Sequence, residues 1–138
     1  MKLEKMTVRN VTRKVNLAER ADIADSMWKL LVGLIPYRSL AQQGGLVLPR
    51  TGSIHTTFLR FPIDVMFLDS KGIIIGMRQE VKPFRVAIAP RGTRTTVELP
   101  ASCLRSAACV VGDLVVISKQ AEFPGLGAGA IQDSGSSQ

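Results

Sequence analysis

The sequence predicts a mainly β (α+β) domain: a compact antiparallel sandwich or barrel with one helix near the N-terminus and a short second helix near 101–108. Two observations carry this. Short β-prone runs recur at roughly ten-residue spacing, separated by Gly, Pro and Asp. Only one stretch shows helical periodicity, and no strand–helix alternation supports a parallel α/β sheet.

Met6–Val11 and Arg13–Leu17 read as two short strands, with Val, Thr and Leu among charged residues. The helix follows. Asp22, Asp25 and Ser26 are its candidate N-caps. Met27, Leu30, Leu31 and Leu34 recur on one helical face, widened by Trp28, Val32 and Ile35, and Pro36 ends it. From Gly44 the pattern turns to strands. Leu46–Leu48 is short and limited by Pro49, and Ile54–Arg60 and Ile63–Leu68 flank Phe61-Pro62. That dipeptide closes a hairpin or marks a kink or bulge; the sequence leaves both open.

Asp69–Gly72 fits a type I turn closed by a left-handed glycine, and Ile73–Glu80 is the returning strand. Phe84, Val86 and Ile88 alternate with Arg85, Ala87 and Ala89; after the Pro90–Thr93 turn, Thr95, Val97 and Leu99 alternate with Arg94, Thr96 and Glu98. Pro100 suits the first position of a helix over Ala101–Ala108. Gly112-Asp113 turns the chain into a last strand, Leu114–Ser118. The Gly- and Ser-rich stretch Phe123–Gln138 has no apolar periodicity. Residues 1–119 are therefore expected to form one domain and 120–138 a flexible tail.

A chain of 138 residues with 46% apolar content can bury a core without a staple. Two cysteines, Cys103 and Cys109, and a single histidine do not make a structural zinc site. No cofactor motif is present, and the cysteines read as small buried hydrophobes. The N-terminus lacks the apolar core of a secretory signal, and no apolar run is long enough to span a bilayer. The expectation is a soluble, cytoplasmic protein. The net charge of +7 invites an anionic partner. Yet the basic residues are scattered in the sequence without aromatic interleaving, so a solvated basic surface is expected rather than a nucleic-acid site.

Chemistry-bearing groups concentrate in Ser53–Asp69, SIHTTFLRFPIDVMFLD, where His55, Arg60 and Asp64 stand among apolar residues. Ile54, Thr56 and Phe58 share one strand face; His55, Thr57 and Leu59 share the other. His55 is the sole imidazole and suits a general base or an orienting donor. Arg60 and Asp64 flank the Phe-Pro break and are expected to meet as an ion pair, with Asp64 facing the side of Met66 and Leu68. Glu98, in TVELP, is the other carboxylate in apolar company and makes an acid/base partner for Asp64 conceivable. Ser53 and His55 share a face, but no third orienting group completes a triad.

These residues carry a resemblance. SIHTTFLRFPIDVMFLD, the SKG turn, GGLVLP, VELP and VGDLVVI together resemble the DUF192 family of bacterial and archaeal proteins, from Val11 to Ile117. The resemblance implies a β-sandwich-like fold with a helix near the N-terminus and no assigned reaction. Its motif residues fall on His55, Thr56, Arg60, Pro62, Asp64, Asp69, Glu98 and Pro100. The chain departs from the pattern at Arg50, where many relatives have Cys, at Leu59, where many have Met, and at Ser102 of Ala101-Ser102, where Gly is usual.

The functional expectation is a non-enzymatic domain that binds a small ligand or a partner protein, with His55, Arg60 and Asp64 lining or bracing a groove and Glu98 and Arg50 nearby. The alternatives are a hydrolase using His55 with a carboxylate, and a basic module on nucleic acid.

Overall fold

A computed structural model describes residues 4–23, 44–56 and 59–119. Among them the strands are β1 (Glu4–Asn10), β2 (Val15–Ile23), β3 (Gly44–Pro49), β4 (Ile54–His55), β5 (Ile63–Leu68), β6 (Ile74–Val81), β7 (Val86–Ala87), β8 (Thr95–Pro100) and β9 (Val115–Lys119). One short helix, α1 (Cys103–Ser106), follows β8. Seven strands form one sheet in the order β6-β5-β8-β3-β2-β1-β9; β4 and β7 pair separately as a two-stranded ribbon.

The sheet curls until its edges meet at one end. Ile73 bridges Leu114. Beside that bridge the Ile74 N–H donates to the Asp113 carbonyl at 2.9 Å, and the Val115 N–H to the Gly72 carbonyl at 2.8 Å. Gly72 has φ 88°, and a Cβ there would lie 2.5 Å from the Val115 carbonyl oxygen, so the Asp69–Gly72 turn needs glycine twice over.

Alternation along the central strands sorts side chains into two cores. Val47, Met66, Leu68, Val97 and Leu99 point into the curl with Val8, Leu17, Leu104 and Val115. Leu46, Leu48, Ile63, Val65 and Phe67 point outward, against Ile54, Leu59, Phe61 and Ala87. All six residues of β5 are buried, as are the first five of β3. Strands covered on both faces read as continuous apolar runs, which is how LVL and IDVMFL are written.

The mainly β class is as expected; several details differ. One sheet with a covering ribbon replaces the sandwich or barrel of antiparallel strands, and β2–β3 is a parallel pair. The N-terminal helix is not borne out. Asp22, one of its expected caps, lies in β2 and its carboxylate takes a bond from Lys5 Nζ at 2.6 Å. The rest of that segment, residues 24–43, lies outside the described residues, as does the expected tail, 120–138. The expected strands Ile54–Arg60 and Phe84–Ala89 shorten to two residues each. Both segments leave the main sheet to cover it, so Leu59 and Phe61 are buried outside any strand. Phe61-Pro62 makes neither a hairpin nor a kinked strand; it is where the chain passes from the covering layer into β5.

A polar cluster secures the closed end. Asp113, 3% exposed, accepts from Asn10 Nδ2 at 2.9 Å, the Val110 N–H at 3.1 Å, and both Arg13 Nε at 3.0 Å and Nη2 at 3.3 Å. Asn10 Nδ2 also reaches Cys109 Sγ at 3.3 Å. The Arg13 bonds, then those from Asn10 and Val110, hold the Asp113 carboxyl down at about 2. Its unfolded value is about 3.9. The carboxylate therefore stabilises the fold above pH ~4, and that contribution is lost as pH falls toward the folded value. Asp113→Ala is expected to cost about 2–3 kcal/mol in urea unfolding at neutral pH. The deficit relative to wild type should shrink as pH falls from about 4 toward 2.

Candidate functional site

Asp64 sits where three elements meet. The β5–β6 ladder slips beside it: Ile63 pairs with Val81 but Val65 with Arg78, so Gln79 and Glu80 bulge opposite it. Glu80 takes φ 51°, and its N–H donates to Asp64 Oδ1 at 2.8 Å rather than to the ladder. Asp64 Oδ2 accepts from the Leu104 N–H of α1 at 2.9 Å. The helix has no cap of its own, since Ser102 makes no side-chain capping bond. A carboxylate from another strand thus supplies it. Asp64 faces Met66 and Leu68 as expected, and is fully buried. The expected ion pair is not formed: Arg60 is exposed in the covering layer, and both Asp64 oxygens accept backbone N–H groups.

The covering layer is tied down by hydroxyls. Thr56, 1% exposed, donates to the Lys82 carbonyl at 2.7 Å and accepts the Arg85 N–H at 2.8 Å. Its backbone N–H donates to the Arg85 carbonyl and its carbonyl accepts the Phe84 N–H. Ser53 Oγ accepts the Ala89 N–H at 2.7 Å. Thr96, on the outward face of β8, donates to the carbonyls of Thr51 and Gly52 at 2.7 and 2.9 Å. Ser53 and Thr56 are therefore fasteners rather than nucleophiles.

Beneath this layer lies Glu98, between Leu46 and Val65 in register, 1% exposed, with Oε1 lacking a hydrogen-bond partner. Burial alone pushes its carboxyl up to about 8, so it is protonated at neutral pH. Glu98 faces outward from the sheet and Asp64 inward, so two carboxylates on adjacent strands lie on opposite faces. His55 is exposed while Ile54 and Thr56 beside it are buried, so it stands at the surface of the covering layer while Glu98 is buried. Arg50 is exposed in the left-handed region at φ 54°, just after β3. The five candidates are thus not one cluster. Three lie at the surface of the covering layer, Glu98 lies below it, and Asp64 lies across the sheet. No three His, Cys, Asp or Glu side chains converge to hold a metal among the described residues.

The expected alternation from Phe84 to Ala89 is observed from Val86 to Ala89, with the large residues outward. Ala87 is fully buried and Ala89 packs against the outer core, while Phe84, Val86 and Ile88 are 71%, 54% and 66% exposed. The small residues face in because the ribbon lies close upon the sheet. Phe84 also takes φ 62°, a genuine outlier for a bulky residue. His55 stands directly across from Val86 in the ribbon. The fasteners and the outward direction of these large residues were not read from sequence; the paired alanines were the one signal that could have revealed the latter. The Asn10–Asp113 bond spans 103 positions and leaves no local trace.

With this geometry in place, comparison with known proteins is informative. The model of the DUF192 family, described as an uncharacterized ACR, matches residues 8–117. No curated protein matches significantly. Among solved structures the chain is similar to a protein of unknown function from Novosphingobium aromaticivorans DSM 12444. The TM-score is 0.67 at 16% identity, covering 81% of this chain and 83% of that one. It is similar also to a candidate transcription regulator from Sinorhizobium meliloti 1021, with TM-score 0.69 at 16% identity, covering 83% and 93%. At that identity the likeness establishes the fold alone.

Two outcomes follow. Asp64→Asn leaves one buried N–H without its acceptor and should cost about 1–3 kcal/mol, whereas Arg60→Ala should stay within about 0.5 kcal/mol in the same denaturant assay. For Glu98, the folded value near 8 lies above the unfolded ~4.3, so stability is present at low pH and lost as pH rises through 8. Glu98→Met should therefore gain on wild type between about pH 5 and 8, exceeding about 4 °C in Tm at the upper end.

Proposed function

This chain belongs to the DUF192 family, and on that footing we propose that it is a non-enzymatic binding domain whose site is the outward face of the β4–β7 ribbon. One observation carries the reading: Phe84, Val86 and Ile88 stand exposed at alternate positions in and beside β7, while Ala87 between them is buried. Large apolar side chains exposed within five residues of one another, on a domain with ample interior, are a mark of recognition. In this reading His55, Arg60 and Arg50 border the face. Glu98 lies beneath it, and Asp64 serves from the far side of the sheet by holding the β6 bulge and α1. The domain of residues 1–119 acts in the cytoplasm on a protein partner. No helix among the described residues is long and apolar enough to cross a membrane.

A second reading, a small ligand under the ribbon, is favoured by the partnerless Glu98 Oε1. A protonated carboxyl there offers a ligand one donor and one acceptor. The hydrolase alternative draws no support, since His55 is exposed and Glu98 is buried.

The ribbon residues are exposed, so Val86→Ser/Ile88→Ser should fold as wild type does. A library of peptides and small molecules screened by thermal shift tests the reading. A binder at a hundredfold excess over its Kd adds about 2.7 kcal/mol, a shift of several degrees. At least one should raise the wild-type Tm and leave the double variant unmoved. Binders that stabilise both proteins equally would place the site elsewhere.

A further inference from the structure

Among the described residues, one edge of the ribbon is unpaired. Arg85 and Ala89 direct their backbone N–H groups toward the β4 side, to Thr56 Oγ1 and Ser53 Oγ, and Ala87 pairs with Ile54. Strand alternation then turns the N–H and C=O groups of Val86 and Ile88 away from β4, where no other strand is paired among the described residues. An unpaired edge with exposed apolar side chains is a template for another strand.

Its electrostatic setting is one-sided. Between residues 50 and 94, Arg50, Arg60, Lys71, Arg78, Lys82, Arg85, Arg91 and Arg94 are all exposed. The carboxylates of that stretch are otherwise engaged. Asp64 is buried, Asp69 accepts the Lys71 and Ile73 N–H groups, and Glu80 pairs with Arg105 at 3.3 Å. Of the bases, Arg50, Arg60, Lys82 and Arg85 belong to the segments that form the covering layer, so the ribbon's own layer carries exposed basic groups and no exposed carboxylate among its described residues. Two copies meeting edge to edge would bring like charges together, which disfavours self-association.

Resting on the binding reading above, we infer that β7 receives an extended segment of a partner protein in which apolar and acidic residues alternate, added as a third strand beside Val86 and Ile88. Backbone bonds to those two residues give the register. Apolar side chains of the segment meet Phe84, Val86 and Ile88, and its carboxylates meet the surrounding guanidinium and ammonium groups.

A fluorescent nonapeptide of alternating Glu and Val tests this by anisotropy. It should bind at low salt and weaken as ionic strength rises. At least tenfold losses are expected when its Glu residues become Lys, when its Val residues become Gly, and when alternate amides along one edge are N-methylated. Ile88→Pro, which removes an outward N–H, should lose a similar factor; the methylated peptide covers the case in which that variant misfolds. Equal affinity for the Lys peptide or for the methylated peptide would overturn the inference. So would tighter binding of single-stranded DNA, or a peptide-free dimer abolished by Ile88→Pro. If every such peptide fails while Val86→Ser/Ile88→Ser still abolishes another binder, the partner assigned here is wrong and the binding reading stands. If no binder depends on the ribbon, both fall.

Discussion

Everything in this fold depends on the burial of β3, β5 and β8 on both faces. A single curled sheet can close an apolar interior on one side, but its outward Leu46, Leu48, Ile63, Val65 and Phe67 would then meet water. Leaving five such side chains exposed would forfeit about 1.5–3 kcal/mol each. The chain covers them with residues 50–56, 59–61 and 82–89, which among the described residues form two ladder pairs of their own. A layer with so little secondary structure must be held by particular side chains, and these are Ser53, Thr56 and Thr96.

That constraint recasts the family string. Most of its polar letters do mechanical work. Ser53 and Thr56 fasten the cover, Asp64 serves the β6 bulge and the α1 terminus at once, and Asp69 closes its turn. What mechanics leaves over lies on or under the cover: exposed Arg60, the buried Glu98 with its Oε1 unbonded, and large apolar residues left exposed. Phe84 adds backbone strain to exposure, a pairing that clusters at recognition and active sites.

The β class, the Asp69–Gly72 turn and the span of β5 could be read from period-two alternation and turn residues, because both are local signals. The side of the sheet that Asp64 faces was legible for the same reason. Its partners were not, since a bulge 16 positions away and a helix 40 positions away supply them. The Arg60–Asp64 pair failed because proximity in sequence says nothing when the chain changes layer at Pro62. Alternation in Phe84–Ala89 marked two faces correctly but not which was inside. Hydrophobicity alone picks the wrong face where close approach admits only alanine. The basic character of the cover, too, emerges only when two segments separated by β5 and β6 are laid together, bringing Arg50 and Arg60 into one layer with Lys82 and Arg85.

The central claim is that β7 is pinned on one edge and open on the other. Residue-resolved hydrogen exchange by NMR measures this directly. The amides of Phe84, Arg85, Ala87 and Ala89, which face the β4 side, should be protected, while those of Val86 and Ile88 exchange at rates near those of an unstructured chain. Uniform protection from residue 84 to 89 would mean the edge is already occupied, and uniform rapid exchange would mean the ribbon is not fastened; either contradicts the account.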